Sequence, residues 1–228
     1  MTAPTPSTTC SATPGWARAT GETVNRFRSS VVTAYALDAD HRAALLDVAV
    51  DTVGRALADG HRVLPDPGDE PALAQAAATF VTLERGEALL GCIGTLQATE
   101  PLVVNVARNA WNAAFADPRL PSVTTDDYTV MRVKVSVLSP LSPVKARSWR
   151  DVHRVVRPGV DGVLVEAPGH RATLLPSVWE KLPDRGEFLD VLWHKAGLRP
   201  RDWLPHTKVR RYTTEELTRE GPREPVPG

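Results

Sequence analysis

The chain of 228 residues carries 27 basic and 27 acidic side chains, so its formal net charge is zero. That balance provides no long-range field for nucleic acid or an anionic membrane surface, and neither partner is expected. Hydrophobic residues at 42% and charged residues at 24% are an ordinary globular mix, which excludes a wholly disordered chain and supplies the core of one domain with room for two lobes.

Residues 1–36 alternate Thr, Ser, Pro, Ala and Gly with few side chains worth burying, and are expected to be mostly disordered. This segment lacks the basic start and continuous apolar run of a secretory signal. The folded part is expected over residues 37–219. Asp40 can cap a helix in which Leu46, Ala49, Val50, Val53 and Leu57 form one stripe, with Gly60 as its stop. The most apolar stretch, Ala43 to Val50, is interrupted by Asp47 and falls well short of the roughly 20 residues needed to cross a bilayer, so a cytoplasmic location is expected.

Two β-compatible runs, Thr79 to Glu84 and Ala88 to Leu96, are joined by Glu84-Arg85-Gly86-Glu87 and read as a hairpin. A helix follows from Leu102 to Phe115, closed by Asp117-Pro118. Strict alternation then places Met131, Val133, Val135 and Val137 on one face of a strand and Arg132, Lys134 and Ser136 on the other. Further on come a short helix from Ser148 to Val155, a strand from Gly162 to Glu166, a turn at Pro168-Gly169 and a helix from Arg185 to Ala196. Lys208 to Tyr212 suggests an edge strand, Thr213 onward a short acidic-to-basic helix, and the Pro-rich residues 220–228 a disordered tail. The order lacks regular β-α-β alternation, so the fold class expected is α+β, with a mixed or antiparallel sheet and flanking helices.

Phosphate-binding Gly loops, nucleophile elbows and metalloprotease helices are all absent, and no cofactor is expected. The six histidines show no i, i+4 pairing, and no metal site is expected. Cys10 and Cys92 lie far apart and belong to no C-x-x-C pair, which excludes a disulfide framework and fits a reducing compartment.

Cys92 is the residue most suggestive of chemistry, because Gly91 and Gly94 remove side-chain bulk beside it and let a backbone or a ligand approach. Two readings stand. As a nucleophile it needs a cation to lower its thiol pKa, and Arg132, Lys134 or Arg171 could supply one, with Gly91, Gly94 and Thr95 shaping the pocket. As a packing residue it is a small buried hydrophobe, with Leu90, Cys92 and Gly94 on one strand face. Arg132 and Lys134 are then the solvent side of an amphipathic strand, and Arg171 is an exposed loop charge.

An ordered series of motifs resembles the AMMECR domain family, called protein A of the AmmeMemoRadiSam system in prokaryotes. It comprises Phe80-Val81-Thr82-Leu83, Leu89-Leu90-Gly91-Cys92-Ile93-Gly94, Asn109-Ala110, Ala113-Ala114-Phe115, Asp117-Pro118-Arg119 and Val135-Ser136-Val137-Leu138. Gly162, Leu174-Leu175-Pro176, Phe188-Leu189 and Lys195-Ala196-Gly197-Leu198 complete it, over roughly residues 40 to 215. Leu90, Ala172 and Ser177 depart from the family's usual Arg, Gly and Gln. The resemblance implies an α+β fold of two unequal lobes, an internal duplication of strand and helix units around a curved sheet. It implies an accessory role with a Memo-like protein and a radical S-adenosylmethionine enzyme as partners, and a small-molecule or protein substrate of unknown identity. The alternative is a non-enzymatic binding or adaptor module in which the Gly-Cys-Ile-Gly strand is structural.

Overall fold

The computed structural model describes residues 35–226 and the short strand Thr8–Thr9. The expectation for residues 1–36, and Cys10 with it, falls almost wholly outside the described residues; Tyr35, at their edge, is buried in the first core. The chain divides into two compact units. The described part of the first holds residues 35–140 and 214–226 with Thr8–Thr9, and that of the second holds 141–213.

In the first unit five antiparallel strands run in the order β1-β3-β2-β4-β9: β1 (Thr8–Thr9), β2 (Ala78–Arg85), β3 (Ala88–Gly94), β4 (Arg132–Leu138) and β9 (Thr214–Arg219). The β2–β3 hairpin forms as its sequence suggests, with Gly86 at φ 57° in the turn. Helices α1 (Ala39–Asp59) and α3 (Leu102–Phe115) lie on one sheet face, where Val81, Leu83, Ile93, Val133, Val135, Val137 and Leu217 meet Leu45, Ala49, Val53, Val106 and Ala110. Strand periodicity of two and helix periodicity of 3.6 thus bring apolar residues to one interface.

Asp38, not Asp40, caps α1. It is extended, its carboxylate accepts the His41 N–H at 2.9 Å, and the His41 ring accepts the Asp38 N–H in return. Asp40 sits within the first turn, where its charge favours the helix N-terminus. Gly60 ends the helix at φ 74°, as expected. Two short helices lie outside the expected elements: α2 (Pro71–Ala74), with Pro at its first position, and α4 (Thr125–Val130), opened by a Thr124–Asp127 capping box.

The segment after Thr213 is a strand rather than a helix. Its acidic start and basic end suit a helix dipole, but pairing with β4 prevails. Leu217 joins the core, and α1 answers the charges beside it: Arg42 bonds Glu215 at 2.6 Å and Asp47 bonds Arg219. Beyond it, in the expected tail, the Arg223 N–H donates to the Thr129 carbonyl at 2.9 Å and its guanidinium to the Tyr128 carbonyl at 2.6 Å.

The second unit is a four-stranded antiparallel sheet in the order β5-β8-β6-β7: β5 (Ser142–Val144), β6 (Gly162–Ala167), β7 (His170–Leu174) and β8 (Lys208–Tyr212). The described strands are therefore divided between two antiparallel sheets. β8 is interior rather than an edge, because β5 pairs along its outer side; β5 carries Pro143, which suits the true edge. Helices α5 (Trp149–Val155) and α6 (Arg185–Lys195) form close to their expected bounds and bury Val152, Phe188, Leu189, Leu192 and Trp193 against Val163, Val165 and Val209. Between β7 and α6, the 3-10 turn Pro176–Glu180 places Trp179 flat against Phe188, ring centroids 3.7 Å apart.

Since Leu217 is 5% exposed in β9, Leu217→Ala is expected to destabilise the protein by about 2 to 5 kcal/mol in a urea titration, whereas an exposed helical leucine would lose almost nothing.

Candidate functional site

Cys92 lies on β3 directly opposite Thr82 of β2, with its sulfur 3.1 Å from the Thr82 hydroxyl oxygen. The residue is 1% exposed. Its backbone turns outward from the hairpin. The Cys92 N–H donates to Asp117 Oδ2 at 3.0 Å, and its carbonyl accepts from an Arg119 guanidinium nitrogen at 3.2 Å. Arg119 also grips the Asp117 carboxylate through two nitrogens, at 2.8 and 2.6 Å. A carboxylate and a guanidinium two residues apart thereby satisfy an N–H and a C=O as a neighbouring strand would.

Asp117 is buried and charged. Burial alone would raise its pKa, but the Arg119 bonds and the Cys92 N–H outweigh it and hold the carboxyl below the usual carboxylate range. Neither residue was singled out for chemistry in the sequence. The signal was the Asp117-Pro118-Arg119 run, which reads locally as a helix stop.

Both glycines are explained by packing. A Cβ on Gly91 would stand 1.8 Å from the Ala113 carbonyl oxygen of α3, and one on Gly94 would stand 2.2 Å from the Phe80 ring and 2.5 Å from the Thr79 carbonyl. Phe80 is the direct cross-strand partner of Gly94, so its ring fills the space a side chain would take. Leu90 does not share the Cys92 face. The register shifts between Leu83 and Glu84, opposite Gly91 and Leu89, leaving Leu90 as the extra residue of a bulge, and it packs against the first core. An apolar side chain at this departure from the family pattern therefore has an apolar partner surface.

The remaining candidates separate. Thr95 joins a polar seam under α3. Asn105 Oδ1 accepts from the Thr79 N–H at 3.0 Å and the Thr79 hydroxyl at 2.8 Å, its amide nitrogen donates to Thr95 Oγ1 and Glu100, and the Asn109 amide donates to the Thr79 carbonyl. Lys134 lies in the same cross-strand row as Cys92, but on β4 with Thr82 between them, about 10 Å away backbone to backbone at strand spacings of about 4.8 Å. Arg132 is in the next row, between Glu84 at 3.7 Å and Glu220 at 3.3 Å. Arg171 belongs to the second unit, where it faces Glu166 at 3.3 Å. Among the described residues no three His, Cys, Asp or Glu gather as a metal site, and no helix is long and apolar enough to cross a membrane.

This arrangement can be compared with known proteins. The AMMECR1 family model matches residues 46–217. The chain belongs to the AMMECR1 family. A protein of Thermococcus gammatolerans is 39% identical over 177 residues, 72% of this chain and 84% of its relative. A Methanothermobacter thermautotrophicus protein is 37% identical over 165 residues, 71% of this chain and 86% of its own length. The crystal structure of the uncharacterised protein PH0010 from Pyrococcus horikoshii superposes with a TM-score of 0.73 at 34% identity, over 80% of this chain and 93% of that one. The α+β fold class and the family resemblance are thus both borne out.

Gly91→Ala is expected to cost at least about 3 kcal/mol in urea unfolding, because the obstructing atom is backbone and can yield only if α3 moves. Asp117 also predicts acid sensitivity. A carboxyl with a lowered folded pKa contributes stability above its unfolded value and loses it as pH falls through the folded one. Between about pH 5 and pH 2 the stability of the wild type should therefore fall more steeply than that of Asp117→Asn.

Proposed function

We propose that this AMMECR1-family chain is a non-enzymatic binding or adaptor module of the cytoplasm, in which Gly91-Cys92-Ile93-Gly94 is a packing strand. The observation that carries this reading is the close packing around the thiol. The sulfur is buried against Thr82, the Cys92 backbone is bonded to Asp117 and Arg119, and both glycines give their space to α3 and to Phe80. A nucleophilic cysteine needs solvent access, which a residue 1% exposed does not have.

The competing reading makes Cys92 the centre of a ligand or substrate site, serving a modification pathway with a Memo-like protein and a radical S-adenosylmethionine enzyme. What favours it is the hydroxyl of Thr82 at hydrogen-bond distance, which could steady a thiolate, with Lys134 in the same row.

Alkylation by iodoacetamide, followed by peptide mass spectrometry across pH with Cys10 as internal reference, separates the two. The packing reading expects Cys92 to stay unmodified until urea unfolds the chain, and expects Cys92→Ala to lower stability by about 1 kcal/mol. Modification of native Cys92 faster than Cys10 at neutral pH, with a midpoint well below about 8.5, would overturn that reading and establish the cysteine-centred site.

A further inference from the structure

The neutral total conceals one concentrated charge. Residues 145–157 hold Lys145, Arg147, Arg150, Arg154 and Arg157, all exposed, against the single carboxylate of Asp151. Asp151 is engaged at home, accepting from the Arg147 N–H, the Ser148 hydroxyl and Arg154. Arg157 is answered by Asp161, just beyond the segment, at 2.6 Å, so Lys145, Arg147 and Arg150 remain as the cationic surface around α5.

At the start of α5 the Trp149 side chain is 7% exposed, yet its indole N–H has no hydrogen-bond acceptor. Buried indole nitrogens ordinarily find one; Trp179 and Trp193 of the same unit each donate to a backbone carbonyl, at 2.8 and 2.7 Å. The His153 ring stacks on Trp149, centroids 5.0 Å apart, and the Arg201 guanidinium lies 5.0 Å over it. Arg201 holds a left-handed backbone at φ 61°, which is uncommon for a residue with a side chain.

Arg185, the first residue of α6, reaches the same place. One guanidinium nitrogen donates to the His153 carbonyl at 3.0 Å, while its Nε is buried with no acceptor. A Cβ on the adjacent Gly186 would lie 4.0 Å from both the His153 and Trp149 rings. The nearby carboxylates do not accept from these two donors. Asp184 caps the Glu187 N–H at 2.9 Å, and Asp190 faces Arg201 at 3.5 Å with its other oxygen unpartnered. Two buried donors, one of them on a guanidinium, thus sit beneath a surface rich in exposed arginine. Desolvated donors of this kind are costly unless an acceptor meets them.

We propose that the Trp149 indole N–H and the Arg185 guanidinium form a site for one oxyanion, a carboxylate or a phosphate, borne by a small molecule or an acidic partner and attracted by the exposed cations of α5. The site lies within the second unit and stands independently of the role of Cys92. Arg185 supplies a charge-assisted donor in a planar fork, and Trp149 a neutral one that fixes orientation.

The test uses the indole N–H region of a two-dimensional proton–nitrogen spectrum of the full chain, with Trp149→Phe assigning the Trp149 signal. Inorganic phosphate and acetate are titrated separately at constant ionic strength, with chloride as the reference salt. The Trp149 signal should move saturably with phosphate, acetate or both, and the more effective anion names the group. Arg185→Gln should weaken that response by roughly tenfold, while Arg150→Gln changes it much less. Should Arg185→Gln unfold, Arg185→Lys, which keeps the charge and loses the fork, takes its place with the same expectation. Absence of a saturable shift with either anion would overturn the site and leave the donors to ordered water. So would a shift that chloride reproduces, or one untouched by the Arg185 variants.

Discussion

The seating of the Ala113 carbonyl against the Cα of Gly91 sets how closely α3 approaches β3, and much of the first unit follows from that distance. Ala107, Ala110, Ala113 and Ala114 of that helix are small and all buried. A close approach also brings two asparagines within reach of the sheet. Asn105 and Asn109 bond the backbone and hydroxyl of Thr79, so the seam is polar at its centre and apolar around it. Buried amides with partners are directional where apolar contacts are not, and they fix the rotation and the height of α3 over the strand.

The same helix delivers the clamp on Cys92. α3 ends at Phe115, and only Ala116 separates it from Asp117, so the position of the carboxylate on the outer edge of β3 is decided by where the helix stops. Arg119 returns along that edge to hold both the carboxylate and the Cys92 carbonyl. Helix docking and edge protection are therefore one device. A small residue is required at position 91 by the helix and at position 94 by Phe80, and Cys92 between them offers its backbone to one segment and its sulfur to another.

What was legible in the sequence was whatever depends on local periodicity. The bounds of α3, the hairpin at Gly86, the alternation of β4 and the Gly60 stop all follow from residues within a few positions of one another. The misread elements depend on partners far along the chain. β9 looks helical until β4 pairs with it and α1 supplies Arg42 and Asp47, more than 170 residues earlier. β8 looks like an edge until the three residues of β5 are seen beside it. Leu90 was placed on the Cys92 face because alternation was carried through a position where the strand bulges. The surroundings of Cys92 are only partly legible, since Asp117 and Arg119 matter through the Cys92 backbone, which carries no residue type to notice.

Net charge misleads for a related reason. It is a sum over the whole chain, whereas an incoming anion at physiological ionic strength feels charges within a Debye length of about 8 Å. A seven-residue helix such as α5 is only about 10 Å long, so its own cations largely decide what approaches it. In the first unit many charges are neutralised in pairs: Arg42 with Glu215, Arg85 with Asp127, Arg108 with Glu100, Arg119 with Asp117. Among the five cations of residues 145–157, only Arg154 and Arg157 have a carboxylate ion-pair partner among the described residues. A zero total thus conceals paired charges in one place, unpaired cations in another and a matching excess of carboxylates elsewhere in the chain. A neutral composition excludes a long-range field, and it leaves a short-range one intact.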